Sequence, residues 1–224
     1  MKENPCAFCN PELTVPDYLG KHGVDRIDLT TLYESERLLV KPDILPAGDF
    51  HALVIPHEHK FSFAQNHGLG EEVGSLLYQI EETIGDSLVW FEHGGVQEGA
   101  KVQSVYHNHA HLIGTEGKDV ISYMESVLDS EGVLYSRVAG VDSSPALNLE
   151  RMGLSDTGYF YVQQGSFGLL ATDESDGFPS QITQRNMSKL LSGKELNWKL
   201  AGSDPELARQ SIIRMFNVIE KCRK

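Results

Sequence analysis

Apolar and polar positions change rhythm several times along the chain, and each rhythm predicts an element. Residues 31–43, TLYESERLLVKPD, and residues 50–56, FHALVIP, are β-rich stretches on either side of the turn-forming ILPAGD, which predicts a strand hairpin. Leu69, Val73, Leu76, Leu77, Ile80 and Ile84 then recur at helical spacing and stop at Gly85, predicting a helix over 69–85. SLVWFEH (87–93) predicts a third strand, and the glycine-rich GGVQEGA leads into a fourth apolar run, SVYHNHAHLI (104–113). Hairpin, helix, hairpin is an α+β plan built on an antiparallel sheet.

The rest of the chain repeats these signals without a single histidine. DVISYMESVL reads as a helix, GVLYSRVAG as a strand, and TGYFYVQQGSFGLLATD (157–173) as a hairpin turning at Gln164-Gly165. PSQITQRNMSKLLSG and DPELARQSIIRMFNVIEKC read as helices, the second opening on an Asp-Pro start signal. The division is placed at 117, giving a first domain of residues 1–117 and a smaller α+β extension, 118–224, packed against it.

The fourth apolar run carries chemistry. Successive side chains of a strand alternate faces, so His107, His109 and His111 point one way and Asn108, Ala110 and Leu112 the other. Three imidazoles in register form a line ~13 Å long. Such a line can bind a metal, bind an anion or attack phosphorus.

Composition narrows the partners. The chain has 224 residues and a formal charge of −13, from 19 Lys+Arg against 32 Asp+Glu. That balance disfavours extended nucleic acid, whose affinity rests on neutralised phosphates. No apolar run approaches the ~20 residues of a membrane span and the first residues lack a signal-peptide core, so the expected compartment is the cytoplasm and no membrane partner is expected. In a reducing compartment Cys6-x-x-Cys9 is a metal half-site or a redox pair, and Cys222 is left without a role.

The segment His107 to Ile113 resembles the His-φ-His-φ-His-φ-φ signature of the histidine triad (HIT) family of nucleotide hydrolases and transferases, with Asn108 in place of the first apolar residue. QSVYH (103–107) and YESERLLVKPDILPAGDFHALVIPHEH (33–59) are similar to the Hint branch of that family. The expected fold is a HIT-like antiparallel sheet with helices, followed by a second half whose plan resembles the two-half architecture of the galactose-1-phosphate uridylyltransferase branch.

The resemblance implies roles residue by residue. His109 is the expected nucleophile toward the α-phosphate of a nucleotide conjugate, of the phosphoramidate or dinucleoside polyphosphate class, with a nucleotidyl-histidine intermediate. His111 shares its face, and histidine at this third position favours hydrolysis over transfer. His51 supports the triad from the neighbouring strand. Gln103 and Ser104 match contacts to phosphate and leaving group, Asp43 an acceptor for ribose hydroxyls, and Ile44 an apolar contact to the base. A structural zinc is implied on Cys6, Cys9, His59 and His107, a closed four-ligand set. Glu92 stands where relatives carry an amide near the phosphates, and a carboxylate there would repel them. His57, His67 and His93 are expected to be surface or loop residues, and Arg185 or Lys189 to reach the pocket from the second half. The assembly is expected to be a monomer or homodimer. A nucleotidyltransferase of the same chemistry and a non-catalytic, zinc-stabilised nucleotide-binding module are the alternatives.

Overall fold

Burial alternates along Leu38–Pro42 (β2), with Leu38, Val40 and Pro42 inward, as a strand with one covered face requires. It pairs antiparallel with His51–Pro56 (β3), Val40 opposite Val54, and Tyr33–Glu34 (β1) adds a short outer strand. These elements come from a computed structural model of the chain, which describes residues 8–9, 31–43, 46–95, 107–172, 182–194, 213–215, 217–218 and 220–222.

The helical stripe forms Gly70–Ile84 (α1), burying Val73, Leu76, Leu77 and Ile80. It ends where Gly85 turns left-handed at φ 66°, a conformation costly for any residue with a Cβ, and donates its N–H to Glu81. Leu88–Gly94 (β4) and Ala110–Gly114 (β5) follow, then Val120–Ser130 (α2), whose first turn is capped by Asp119 accepting from the Ser122 N–H at 3.0 Å. Beyond it lie Ser136–Ala139 (β6), Pro145–Met152 (α3), Tyr159–Gln164 (β7), Phe167–Thr172 (β8) and Ile182–Ser192 (α4).

Among the described residues eight strands form one antiparallel sheet in the order β1-β2-β3-β5-β4-β7-β8-β6. The order is palindromic about the β4–β7 pair, where Phe91 lies opposite Val162. Strand, helix, strand, strand, helix occurs twice: β3-α1-β4-β5-α2 and β6-α3-β7-β8-α4. In both units the last strand inserts between the first two, giving β3-β5-β4 and β6-β8-β7. Residue 117 lies on the β5–α2 connection, and the sheet continues through the β4–β7 seam into the second unit.

The layers obey the same symmetry. On one face α1 and α3 cover Trp90, Ala110, Leu112 and Tyr161, with Leu76, Leu77, Ala146 and Leu149 in the same core. On the other, α2 and α4 cover Val89, Phe91, Ile113, Phe160 and Val162. Burying both faces removes apolar surface from water at roughly 25 cal/mol per Å2, the main stabilising term. Among the described residues no helix is long and apolar enough to cross a membrane.

Candidate functional site

The histidine segment is only partly a strand. Regular pairing begins at Ala110, so His111 lies in β5 opposite Leu53 on one side and Phe91 on the other. His107 to His109 form an irregular entry because the Asn108 N–H donates to the Lys60 carbonyl rather than to a neighbouring strand. The expectation of three histidines along one regular strand is corrected to one on the strand and two on the segment entering it.

Backbone hydrogen bonds then assign the protons. A carbonyl can only accept, so His109 Nδ1 donates to His107 O at 3.0 Å and, in the neutral ring, Nε2 keeps its lone pair. His107 Nε2 donates to Pro56 O at 2.7 Å, which leaves Nδ1 bare. His51 Nδ1 accepts the Ala47 N–H at 3.0 Å, so its Nε2 carries hydrogen and donates to His111 Nδ1 at 2.9 Å. His111 therefore keeps its own proton on Nε2. The outcome is a bare nitrogen on His109 next to an N–H on His111, with ring centroids 5.3 Å apart.

Burial keeps these rings neutral. It pushes His109 and His51 each down to about 4, with nearby histidines adding to the effect and Asp43 opposing it. His109 is thus uncharged, and nucleophilic, across the neutral range. His107 is also lowered, first by burial, against the pull of Pro56 O.

The surroundings of His109 include residues the sequence did not reveal. The ring of Phe8, inside the Cys6–Cys9 segment, meets His109 edge-on at 5.0 Å. His93, expected to be a surface or loop residue, is next to last in β4, one step beyond the Glu92–Ala110 pair, on the side of His109. Burial, with His111 and His109 adding, pushes it to about 3, and its ring stacks edge-on with Phe160 at 4.7 Å. Extending the antiparallel register from Phe91 would have found it.

Glu92 does not face the triad. It pairs with Ala110, whose side chain lies on the α1 face, and Glu92 Oε1 accepts the Phe63 N–H at 2.6 Å. The expected repulsion toward phosphate therefore has no geometric basis. Arg185 instead pairs with Glu131 of the α2 C-terminus at 2.6 Å, an α2–α4 tie rather than a pocket contact. His57 donates to Ser35 O at 3.0 Å and His67 lies 3.6 Å from Glu150. Cys6, Ile44, Gln103 and Ser104 lie outside the described residues.

Among the described residues two groups have metal-ligand spacing. Cys9 Sγ lies 3.3 Å from His59 Nδ1 and 3.4 Å from His107 Nδ1. Tetrahedral zinc, with bonds of about 2.3 Å to sulfur and 2.0 Å to nitrogen, separates such atoms by ~3.5 Å. The bare Nδ1 of His107, held by its other nitrogen on Pro56 O, is the arrangement a ligating histidine needs. The second group is Asp43, His51 and His111, with Asp43 Oδ2 3.3 Å from His51 Nε2 and 3.3 Å from His111 Nδ1. Here the proton on His51 Nε2 makes it a donor, and ligation would demand an imidazolate. In this group His51 is a hydrogen-bond donor, which does not suit a metal site.

A buried neutral imidazole thus stands beside a second that donates, at the start of a central strand. Residues 22–122 match the family described as "Scavenger mRNA decapping enzyme C-term binding". Over 109 residues the chain is 31% identical to a "14 kDa zinc-binding protein" of Brassica juncea, covering 42% of this chain and 88% of that protein. The chain belongs to the histidine triad (HIT) family. Among solved structures it is similar to a HIT family hydrolase from Clostridium thermocellum (26% identity, 52% of this chain and 93% of that one, TM-score 0.34). It is also similar to a Zn-bound histidine triad family protein from Mycobacterium smegmatis (23% identity, 51% and 78%, TM-score 0.36).

Proposed function

We propose that the protein is a HIT-type hydrolase attacking the α-phosphate of a nucleotide conjugate, of the phosphoramidate or dinucleoside polyphosphate class, through a nucleotidyl-histidine. The observation that carries this reading is the bare Nε2 of His109, fixed by the bond from its Nδ1 to His107 O.

The Nε2 lone pair forms the bond to phosphorus and the bond to the leaving group breaks, its electron pair departing with the leaving group, which takes its proton from solvent. The ring gains positive charge, and the His107 carbonyl on Nδ1–H is placed to stabilise it. His111 Nε2–H supplies a hydrogen bond to a phosphoryl oxygen. It does not act as a full acid, because refilling His111 from His51 would leave His51 an anion against the Ala47 N–H. Water then attacks phosphorus, the P–N bond pair returns to Nε2, and the water's proton passes to solvent. On the substrate side the reading gives Gln103 and Ser104 to the phosphate and leaving group, Ile44 to the base and Asp43 to the ribose.

Zinc belongs to this reading as a structural ion held by Cys9, His59 and His107, with Cys6 as the fourth ligand. It would tether Phe8 against His109 and take no part in the chemistry. Elemental analysis is expected to find one zinc per chain, lost in Cys9→Ser along with a lowered melting temperature. Metal-free protein of unchanged stability would reject the site.

The test of function is intact-protein mass spectrometry after brief exposure to a panel of nucleotide conjugates. A mass gain of one nucleotide, absent in His109→Ala, is expected. Turnover without an adduct, and without dependence on His109, would sink the mechanism.

A further inference from the structure

Behind the histidines, on the α1 face of the sheet, buried polar side chains gather around one short loop, residues 60–64. Lys60 O accepts the Asn108 N–H at 2.8 Å, Phe61 O accepts the Gly95 N–H at 2.9 Å, and the Phe63 N–H reaches Glu92. His107 and His109 both meet the ring of Phe8, so Asn108 between them turns to the opposite face, with Ala110 and Leu112. The β4–β5 register, Glu92 opposite Ala110, leads on to Gly94 and Asn108. Tyr159, opposite Gly94 on β7, lies across it, so close that a Cβ on Gly94 would come within 2.3 Å of the ring. The Tyr159 hydroxyl accepts the Ala64 N–H at 3.3 Å. Burial, then Glu92, keep the phenol protonated, and Ser62 lies near enough to act on it.

Hydrogen bonding is incomplete there. Ser62 Oγ, Glu92 Oε2 and both amide atoms of Asn108 are buried, and none has a hydrogen-bond partner among the described residues. Glu92 Oε1 accepts from Phe63, so a proton on this carboxyl sits on Oε2, and burial, pushing the group up to about 8, retains it at neutral pH. Glu92 thus offers an O–H, Asn108 two N–H and an acceptor oxygen, and Ser62 a hydroxyl that does both. A cation is disfavoured, because burial holds Glu92 neutral. Groups of this kind are satisfied by internal water, which typically makes about three hydrogen bonds to them.

We infer that Ser62, Glu92, Asn108 and Tyr159 enclose a binding site for internal water, and that Asn108 is through it a positioning residue for His109. The positioning role rests on the nucleotide reading. Water that accepts from Glu92 Oε2–H and Asn108 Nδ2–H and donates to Ser62 Oγ ties the segment entering β5 to β4 and to the loop. Regular pairing begins only at Ala110, so this tie helps fix where His109 Nε2 points. A misplacement of about 1 Å there is costly to attack on phosphorus.

A high-resolution crystal structure of the full wild-type chain tests the water site. Ordered water within hydrogen-bond distance of both Glu92 Oε2 and Asn108 is expected. A direct Glu92–Asn108 bond, or no solvent peak, overturns the inference, and this arm needs no variant to fold. The positioning role is tested by the rate of nucleotidyl-adduct formation at pH 7 in Asn108→Leu, Glu92→Met and the two combined. Each single variant is expected to slow the saturated rate roughly tenfold, with the half-saturating concentration changed less than about twofold. The double variant should be no slower than either single one, because all three lose the same water. Glu92→Gln, which keeps a donor, should restore most of the rate. Losses that multiply in the double variant, or that fall on affinity rather than rate, overturn the positioning role. Absence of the adduct from wild type overturns the functional reading instead, and the solvent peak still decides the water site.

Discussion

Replacing His109 by alanine is expected to lower turnover of any nucleotide conjugate by roughly 10⁴-fold or more, because the covalent route is lost and none of His111, His51 and His107 presents a bare nitrogen in its place. His111 offers a proton on the nitrogen it turns outward, His51 is buried with both nitrogens engaged, and the bare nitrogen of His107 faces Cys9. Binding should survive within about threefold, since a nucleophile contributes bond-making rather than adhesion. His111→Ala should cost less, roughly 10² to 10³, the usual loss for one hydrogen-bond donor to developing charge. Single-turnover kinetics with a labelled conjugate checks both. Equal losses in the two variants would mean that His109 and His111 share one role, against the tautomers their backbone partners impose.

What could be read from sequence was what local periodicity encodes. The stripe from Leu69 to Ile84, ended by Gly85, became α1 within a residue or two, and the hairpin turning at Gln164-Gly165 became β7 and β8. The cluster of His107, His109 and His111 was legible because spacing of two is informative near a strand. The irregular entry was not, because it depends on Asn108 bonding Lys60 across a long separation. Helix α3 escaped notice as a short element whose signals, the Ser144 cap and Pro145 in the first turn, sit in an otherwise loop-like run. The β4–β7 seam and the bond from Gln184 to Asp43 are register and docking facts that no local pattern carries. The direction of Glu92 was legible in principle: alternation from Trp90 puts both on the α1 face, and the family's amide at that position obscured it.

That face sets up the second large effect. Glu92 is 1% exposed, its Oε1 accepts from the Phe63 N–H, and its Oε2 has no hydrogen-bond partner among the described residues. Burial pushes its carboxyl up to about 8, with Phe63 and Tyr159 partly opposing. The folded chain therefore holds a proton that the unfolded chain gives up near 4.5, so this contribution to stability is complete below that pH and is lost as pH rises through about 8. The buried histidines act in the opposite direction. His51 and His93, lowered to about 4 and 3, reduce stability as pH falls below 6.5. Glu92→Gln leaves the histidines in place and removes the acid. Relative to wild type it should gain on the order of 4 kcal/mol between pH 5 and pH 9. Urea unfolding of both proteins at pH 5, 7 and 9 measures this directly. A difference that does not vary with pH would show that Glu92 is already ionised in the fold. Because Glu92 pairs with Ala110, its ionisation strains the strand that carries His111 just beyond the nucleophile, so wild-type activity should fall above pH 8 while that of Glu92→Gln holds.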